Sequence, residues 1–408
     1  PQQVTLKDPK DWTVAGKPLK RLDTADKLNG SLVYGPDLSM PGMLVAVPKA
    51  CPVHGGKLVS FDASAIAGRR GVKHVLRVDD ATVAVVADTF WRAKTALDAL
   101  PVVWDEGPNA KVSSDAIATM LREGLSADTA YVGNRAGDAK AVLAKASRII
   151  EADYSYPYQN HAAMETLSAT VRWTPERCEM WGPTQVADAA LDELAKAAGL
   201  SATACEIHTM RIGGSFGRRL YTDYVRIATL IAKQVPNVPV KMMWTREEDM
   251  AQGQYHPITQ CRLRASLDEA GNVEALHMRI SGQSIFAYHA PSRLTPEAGD
   301  PIVYQGLVAG GAEMAIGYSF PHLLIDHAMR NPHVRPGAWR GVNLNQNAVY
   351  LECFIDELAH AAGVDPLAFR RKLMAKHPKH LAVLEAAAKG IGWETKPPAG
   401  VHRGIAQV

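Results

Sequence analysis

Hydrophobic and polar positions change period several times along this chain, and each change marks an element. Short β-branched runs bounded by Gly, Pro and Asp predict strands over 31–38, 42–52, 72–78 and 81–88. From 89 to 100, Phe90, Ala93, Leu97 and Leu100 fall on one face and predict a helix. The run 101–107 returns to strand. These elements make a small α+β unit over 20–107, after a polar lead-in over 1–19. Gly107-Pro108-Asn109, a short helix from Ser114 and a turn around Gly133 mark 108–135 as a linker.

A second unit runs over 136–408. It opens with a helix over 137–147 and an alternating strand over 148–158. A strong helical pattern over 186–199 ends at Gly199, a residue suited to a left-handed C-cap. A strand over 206–212 leads into a glycine turn, a helix over 221–234 and a buried strand over 238–244. The stretch 261–282 predicts a hairpin that turns between Asp268 and Asn272, with Gly271 free to take positive φ. The segment from Tyr288 to Phe320 is rich in Gly and Pro and weak in period, and a loop of that length is usually functional. A strand over 322–331 follows, then a helix over 347–363 stopped by Gly363. Asp365-Pro366 supplies an N-cap with proline at the first helical position, and a last helix covers 381–392.

Composition narrows the function classes. The chain has 408 residues, 47% hydrophobic and 21% charged, which supplies more than one core. Its 45 basic and 42 acidic residues leave a net charge of +3, no basis for a nucleic-acid partner. Five widely spaced cysteines (Cys51, Cys178, Cys205, Cys261, Cys353) form no C-x-x-C pair and read as buried free thiols. No iron–sulfur cluster or haem is therefore expected on this chain. The 14 histidines show no H-E-x-x-H spacing, so no protein-ligated metal is expected. No apolar run reaches the ~20 residues of a membrane span. The opening residues are not a signal peptide, and the start on Pro reads as a processed or incomplete chain. A soluble bacterial protein is expected, in the periplasm or the cytoplasm.

The most informative stretch is Gly213-Gly214-Ser215-Phe216-Gly217-Arg218-Arg219, between a predicted strand and a predicted helix. Glycines admit a close backbone approach, amides at a turn face anions, and two guanidinium groups add forked donors. This physics points to a phosphate or pyrophosphate. A dinucleotide fingerprint fails, because Ile212 stands where its first Gly belongs, and the P-loop Gly-Lys-Ser/Thr is absent. Gly213-x-Ser215-x-Gly217 does match the nucleophile elbow of a serine hydrolase. His54-Gly55-Gly56 could then serve as oxyanion loop, and Asp326, His327, Asp356 and His360 as triad partners. Against that reading, the arginine pair has no work in an elbow. A plain tight turn is the third reading.

These residues resemble a family. The turn is similar to the G-G-G-F-G turn of molybdopterin-binding subunits of xanthine oxidase and aldehyde oxidoreductase type, with Ser215 in place of the middle Gly. The Arg-Arg that follows is similar to the isoquinoline 1-oxidoreductase β-subunit branch. Other segments fit in order: His161 to Glu165, Trp181 to Gln185, Trp244 to Met250, Pro336 to Val342, Asn345 to Ala348 and Phe354 to Ala359. The resemblance implies an α+β architecture, an α/β hammerhead module over 20–107 followed by a mixed α/β molybdopterin-binding domain over 136–408. It implies a molybdenum cofactor, as molybdopterin or its cytosine dinucleotide, held by Gln185, Gly213, Gly214, Ser215, Phe216, Gly217, Arg218, Arg219 and Arg340. Trp339 and Val342 would face substrate. The dithiolene binds the metal, so no side chain here need do so. His161 and Glu165 read as structural. Arg340, flanked by apolar residues and Gly, is expected to have a buried anionic or carbonyl partner.

The implied activity is oxidation of an N-heteroaromatic ring or an aldehyde with water as oxygen source. Electrons would pass to a small [2Fe-2S] subunit, with a cytochrome c acceptor as a further option. The family's general-base Glu, in a late G-x-G-E-P stretch, has no counterpart here, nor does its early M-G-Q-G segment. The chain thus reads as the central piece of a longer subunit, not active alone, with no catalytic residue assigned. A binding-only fragment is the remaining alternative.

Overall fold

The computed structural model describes residues 4–310 and 315–408. Part of the long loop between Tyr288 and Phe320 and the first residues of the lead-in therefore lie outside the described residues. The architecture is mixed α/β, with two large sheets. Fourteen strands are formed among the described residues: β1 Leu44–Ala50, β2 Lys57–Phe61, β3 Val72–Arg77, β4 Thr82–Ala87, β5 Val102–Asp105, β6 Tyr131–Ala136, β7 Ile149–Tyr156, β8 Ser168–Trp173, β9 Cys178–Gly182, β10 Cys205–Thr209, β11 Val240–Met243, β12 Thr259–Leu267, β13 Val273–Gly282 and β14 His322–Met329.

The first sheet runs β10-β9-β8-β11-β1-β4-β3 and joins the two units, because β1 pairs in parallel with β11 through Leu44–Val240 to Ala46–Met242. β4 is buried at every position, which explains its unbroken apolar run. Ala84 and Val86 face the helices Ala187–Ala198 and Asp223–Lys233, while Val83 and Val85 face the helix Phe90–Asp98. The second sheet runs β6-β14-β13-β12-β7. Along β12, Cys261, Leu263 and Ala265 enter the core with Phe354 and Leu358 of the helix Leu344–Ala362, while Arg262 and Arg264 face Asp153 and Glu151. Strand period 2 sorts the two sets.

Three expectations need correction. The run 31–38 is not a strand: Pro36 and a bond from the Tyr34 amide to the Asp37 carboxylate, 3.0 Å, fold it into a 3-10 turn. The turn expected around Gly133 is strand β6, where a side chain would overlap the Tyr304 ring. The cysteines are all free, yet Cys353 is exposed and Cys205 half-buried. Strand β2, paired with β5, was not predicted.

Candidate functional site

Three segments meet at the glycine turn, two of them fixed from beneath by charge and the third by neutral hydrogen bonds. Glu165 receives the Gly213 amide at 2.6 Å and pairs with Arg219 at 3.2 Å. Arg219 is 1% exposed and also reaches the Glu165 and Thr166 carbonyls, at 3.1 and 3.3 Å. Arg218, 3% exposed, forms a two-pronged bond with Asp223 at 2.9 and 2.7 Å and lies over the Trp244 ring at 5.5 Å. Burial alone would raise the Asp223 carboxyl, but Arg218 overrides it and holds the group below its ordinary value. The expected grip of Arg218 and Arg219 on a phosphate is thus corrected. Their guanidinium groups point into the protein and hold the turn to Glu165 and to the start of the helix Asp223–Lys233.

The second segment, His161 to Glu165, packs against the turn. His161 Nε2 lies 2.9 Å from the Ala338 carbonyl, and burial pushes its pKa down to about 4, so the ring is neutral and donates there. The segment is tied down by the helix Arg246–Ala251. Arg246 donates to the Ala163 and Met164 carbonyls, at 2.5 and 3.1 Å, and Asp249 accepts from the Leu167 amide at 3.3 Å. The Trp244 to Met250 stretch therefore positions the site without lining it. The third segment crosses over the turn: the Arg340 amide donates to the Phe216 carbonyl at 2.8 Å, and the Tyr221 hydroxyl accepts from the Ala338 amide at 2.6 Å. A Cβ at Gly217, where φ is +107°, would overlap the Ala338 carbonyl oxygen. Only glycine fits that crossing.

Ser215 links the turn to Gln185. Its hydroxyl accepts from the Arg219 amide at 2.9 Å and donates to Gln185 Oε1, which leaves the Gln185 NH2 without a partner among the described residues. No histidine touches Ser215 among the described residues. His54 belongs elsewhere, bonded to Arg335, while Asp326 pairs with Arg279 on the second sheet and Asp356 with Arg370. The hydrolase constellation is not assembled.

What the turn leaves without a protein partner is backbone. Among the described residues, the amides of Gly214, Ser215, Phe216 and Gly217 find no acceptor. Consecutive amides of this kind form an anion-binding concavity. Of the four described non-glycine residues with positive φ, three lie on these segments: Ala162, Phe216 and Val342. For β-branched Val342, held at φ +49° with its carbonyl 2.9 Å from His256 Nε2, the strain localises to the site. Arg340 departs from expectation: its side chain is exposed and has no bonded partner among the described residues. Trp339 is half-buried, edge-on to His256 at 6.3 Å. Phe216 is 44% and Met164 89% exposed, so the face is open. Away from it, Glu179, Glu206 and His208 form a metal-like group, but Arg172 and Arg177 already neutralise its carboxylates.

Sequence reasoning read Glu165 as structural without finding its partners, and missed Asp223, Arg246 and Asp249 as supports of the turn. Asp223 carries a local signal, an acid at a helix start five residues after Arg218; Glu165 carries none, since its partners lie 48 and 54 positions away.

The chain belongs to the molybdopterin cofactor-binding domain family, which matches residues 126–374. It is 28% identical over 403 residues to a nicotinate dehydrogenase chain of Pseudomonas putida, covering 96% of this chain and 33% of that protein. It is 26% identical over 407 residues to the β-subunit of isoquinoline 1-oxidoreductase of Brevundimonas diminuta, covering 96% and 51%. In fold it is similar to quinoline 2-oxidoreductase from Pseudomonas putida 86, with a TM-score of 0.69, 17% identity and coverage of 92% and 54%. The chain thus spans a third to about half of these two curated relatives. The resemblance to molybdenum-binding subunits of the xanthine oxidase family holds, and the cofactor class is molybdopterin.

Proposed function

We propose that the glycine turn holds the molybdopterin cofactor through its backbone. The residues fit such a group: four consecutive amides without protein acceptors among the described residues suit an anionic, oxygen-rich ligand, and glycine lets it come close. Gly214, Ser215, Phe216 and Gly217 donate amides, Gln185 its side-chain NH2 and Arg340 its guanidinium. Gly213, Arg218 and Arg219 act one layer below, by fixing the turn. When bound, the cofactor would supply a two-electron redox centre for oxidation of an electron-poor carbon with water as the oxygen source.

The protein's part is orientation. Ser215 fixes the Gln185 amide toward the cofactor face, and neutral His161 and His256 anchor the crossing segment through Ala338 and Val342. Trp339 and Val342 form a substrate wall beside it. Residues 20–107 serve as the hammerhead module, 108–135 as a connector and 136–408 as the cofactor domain. The whole protein, of which this chain supplies the described portion, oxidises an N-heteroaromatic ring or an aldehyde and passes electrons to an iron–sulfur partner.

The row of unpaired amides beside Gln185 and Arg340 carries this reading. Its test is the molybdenum and pterin content of the chain purified from a molybdenum-replete host, beside Gly217→Ala. Wild type should retain both and the variant should lose at least about tenfold, the cost of a side chain at a strained, crossed position. Protein that is folded yet free of pterin, or a variant that loads equally, overturns the reading.

A further inference from the structure

A cavity of about 310 Å³ lies along the seam between the N-terminal unit and the cofactor domain, apart from the glycine turn's outer face. One wall is the end of β1 and the loop after it, with Cys51 and His54; the other comes from the helices Asp223–Lys233 and Arg246–Ala251; Arg335 closes one side. The charges on its walls do not all cancel. Asp79 pairs with Arg226 at 2.6 Å and Asp223 with Arg218. Arg335 has no such partner among the described residues. Its Nε donates to His54 Nδ1 at 3.0 Å and one Nη2 proton goes to Gln252 Oε1 at 2.7 Å, both neutral acceptors. Asp223 and Glu248 share the cavity, but neither forms an ion pair with it.

The neutral partners are themselves locked. His54 accepts from Arg335 at Nδ1 and donates from Nε2 to the Ala251 carbonyl at 3.3 Å, so it has no place for a second proton. Burial, then Arg335, push its pKa down to about 4. Gln252 donates to the Cys51 carbonyl at 2.9 Å and so must present its oxygen to Arg335. Both groups aim lone pairs at the guanidinium and fix its plane. A half-buried guanidinium that is fixed by neutral acceptors and opens on a cavity is a receptor for one planar anion. Pro48, Val53, Ile227, Trp244 and Tyr288 give the otherwise mixed lining an apolar stretch for a ring or short chain.

We propose that this seam cavity binds a small apolar monocarboxylate, whose carboxylate is taken by Arg335 and whose body packs against Trp244 and Tyr288. One cation without an ion pair among the described residues, whose charge Asp223 and Glu248 share only through space, matches a monoanion; the nearby Asp79, Asp223 and Glu248 disfavour a phosphate dianion. Glu248 accepts the Ala50 amide at 2.7 Å, and burial raises its pKa to about 7. Lys49 and Arg335 oppose that shift, and the paired Asp79 and Asp223 with His54, His333, Cys51 and Tyr288 are the other titratable groups around it. Below neutrality Glu248 is uncharged and tolerates a second carboxylate; above it the two repel. The site ties the two units together without using the cofactor.

Calorimetric titration of benzoate into the 408-residue chain tests this, with benzylamine as the cation of the same shape. Saturable one-site binding near 1 mM, about the affinity nine heavy atoms support, is expected for benzoate and none for benzylamine. Arg335→Gln should weaken benzoate at least about tenfold with its circular dichroism unchanged. Affinity should fall about tenfold from pH 6 to pH 8.5, and Glu248→Gln should abolish that fall. Absence of benzoate binding, equal binding of benzylamine, or full affinity in Arg335→Gln each overturns the proposal. The first two tests use the unaltered chain, so a variant that fails to fold does not shield the idea.

Discussion

Arg219 and Arg335 are both fixed guanidinium groups, and they end differently. Arg219, under the glycine turn, reaches a carboxylate, Glu165, and two carbonyls in the same segment. Arg335, on the seam cavity, reaches an imidazole and an amide. In the first place charge meets charge and the result is a rigid support. In the second the charge is held ready and left over. The compensated, buried Arg219 serves the fold; on the proposal above, the fixed Arg335, without an ion pair among the described residues, serves a ligand.

The largest effect should come from breaking the compensated pair. Arg219→Ala leaves Glu165 buried without its partner and should cost about 3–5 kcal/mol. Arg335→Ala removes hydrogen bonds to neutral groups from a half-buried position and should cost about 1 kcal/mol. Urea denaturation midpoints of the two variants measure the difference. Equal losses would break the comparison, because they would make both arginines scaffold.

That distinction was not legible in the sequence. Arg218-Arg219 beside a glycine turn and Arg335 before Pro336 give no sign of which one meets a carboxylate, since Glu165 and His54 are 54 and 281 positions distant from their partners. What local physics sets was legible. The helix Ala187–Ala198 ends at Gly199 with φ +73°, and the β12–β13 hairpin turns at Gly271 with φ +79°. Asp365 caps its helix through the Leu367 and Ala368 amides. The glycine turn was legible as a tight turn, because positive φ at Gly214 and Gly217 is a property of a few adjacent residues. β2 escaped because Lys57–Phe61 is short and mixed in polarity, and becomes a strand only against β5. The shared sheet escaped for a like reason: the pairing of β1 with β11 joins residues some two hundred positions apart.

A second effect separates the two regions by pH. Glu248 has a folded pKa raised to about 7 from an ordinary 4.5, so the folded chain holds a proton the unfolded chain releases. Stability should therefore fall as pH rises from about 5 to about 8, by about 1–3 kcal/mol, and Glu248→Gln should flatten the curve. Asp223 is shifted the other way, so its pairing with Arg218 is kept over that range and is lost only in acid, as pH falls through its lowered pKa. Melting curves at three pH values read both signs. A wild type as flat as Glu248→Gln would remove the uncompensated carboxyl from the account.

Ser215→Gly, which restores the glycine of the related turns, tests the support from above. It removes the bonds to Gln185 and to the Arg219 amide and should cost about 1 kcal/mol. Its clearer readout is Gln185, whose side-chain amide protons should lose protection from exchange. Unchanged protection would mean that Ser215 does not orient that amide.

The smallest change in stability belongs to Arg340, and it sharpens the comparison most. Its guanidinium is exposed and unpartnered among the described residues, so Arg340→Gln should alter the denaturation midpoint by less than about 0.5 kcal/mol. It is uncompensated in the manner of Arg335, yet it stands on the open face beside Phe216, whose carbonyl accepts its own backbone amide. If uncompensated arginines serve ligands, this neutral change to the fold should lower pterin retention severalfold. Arg371→Gln, which breaks an exposed pair with Glu385, should lower neither stability by more than about 1 kcal/mol nor retention. Retention that survives the loss of Arg340 would leave the backbone amides as the whole of the grip.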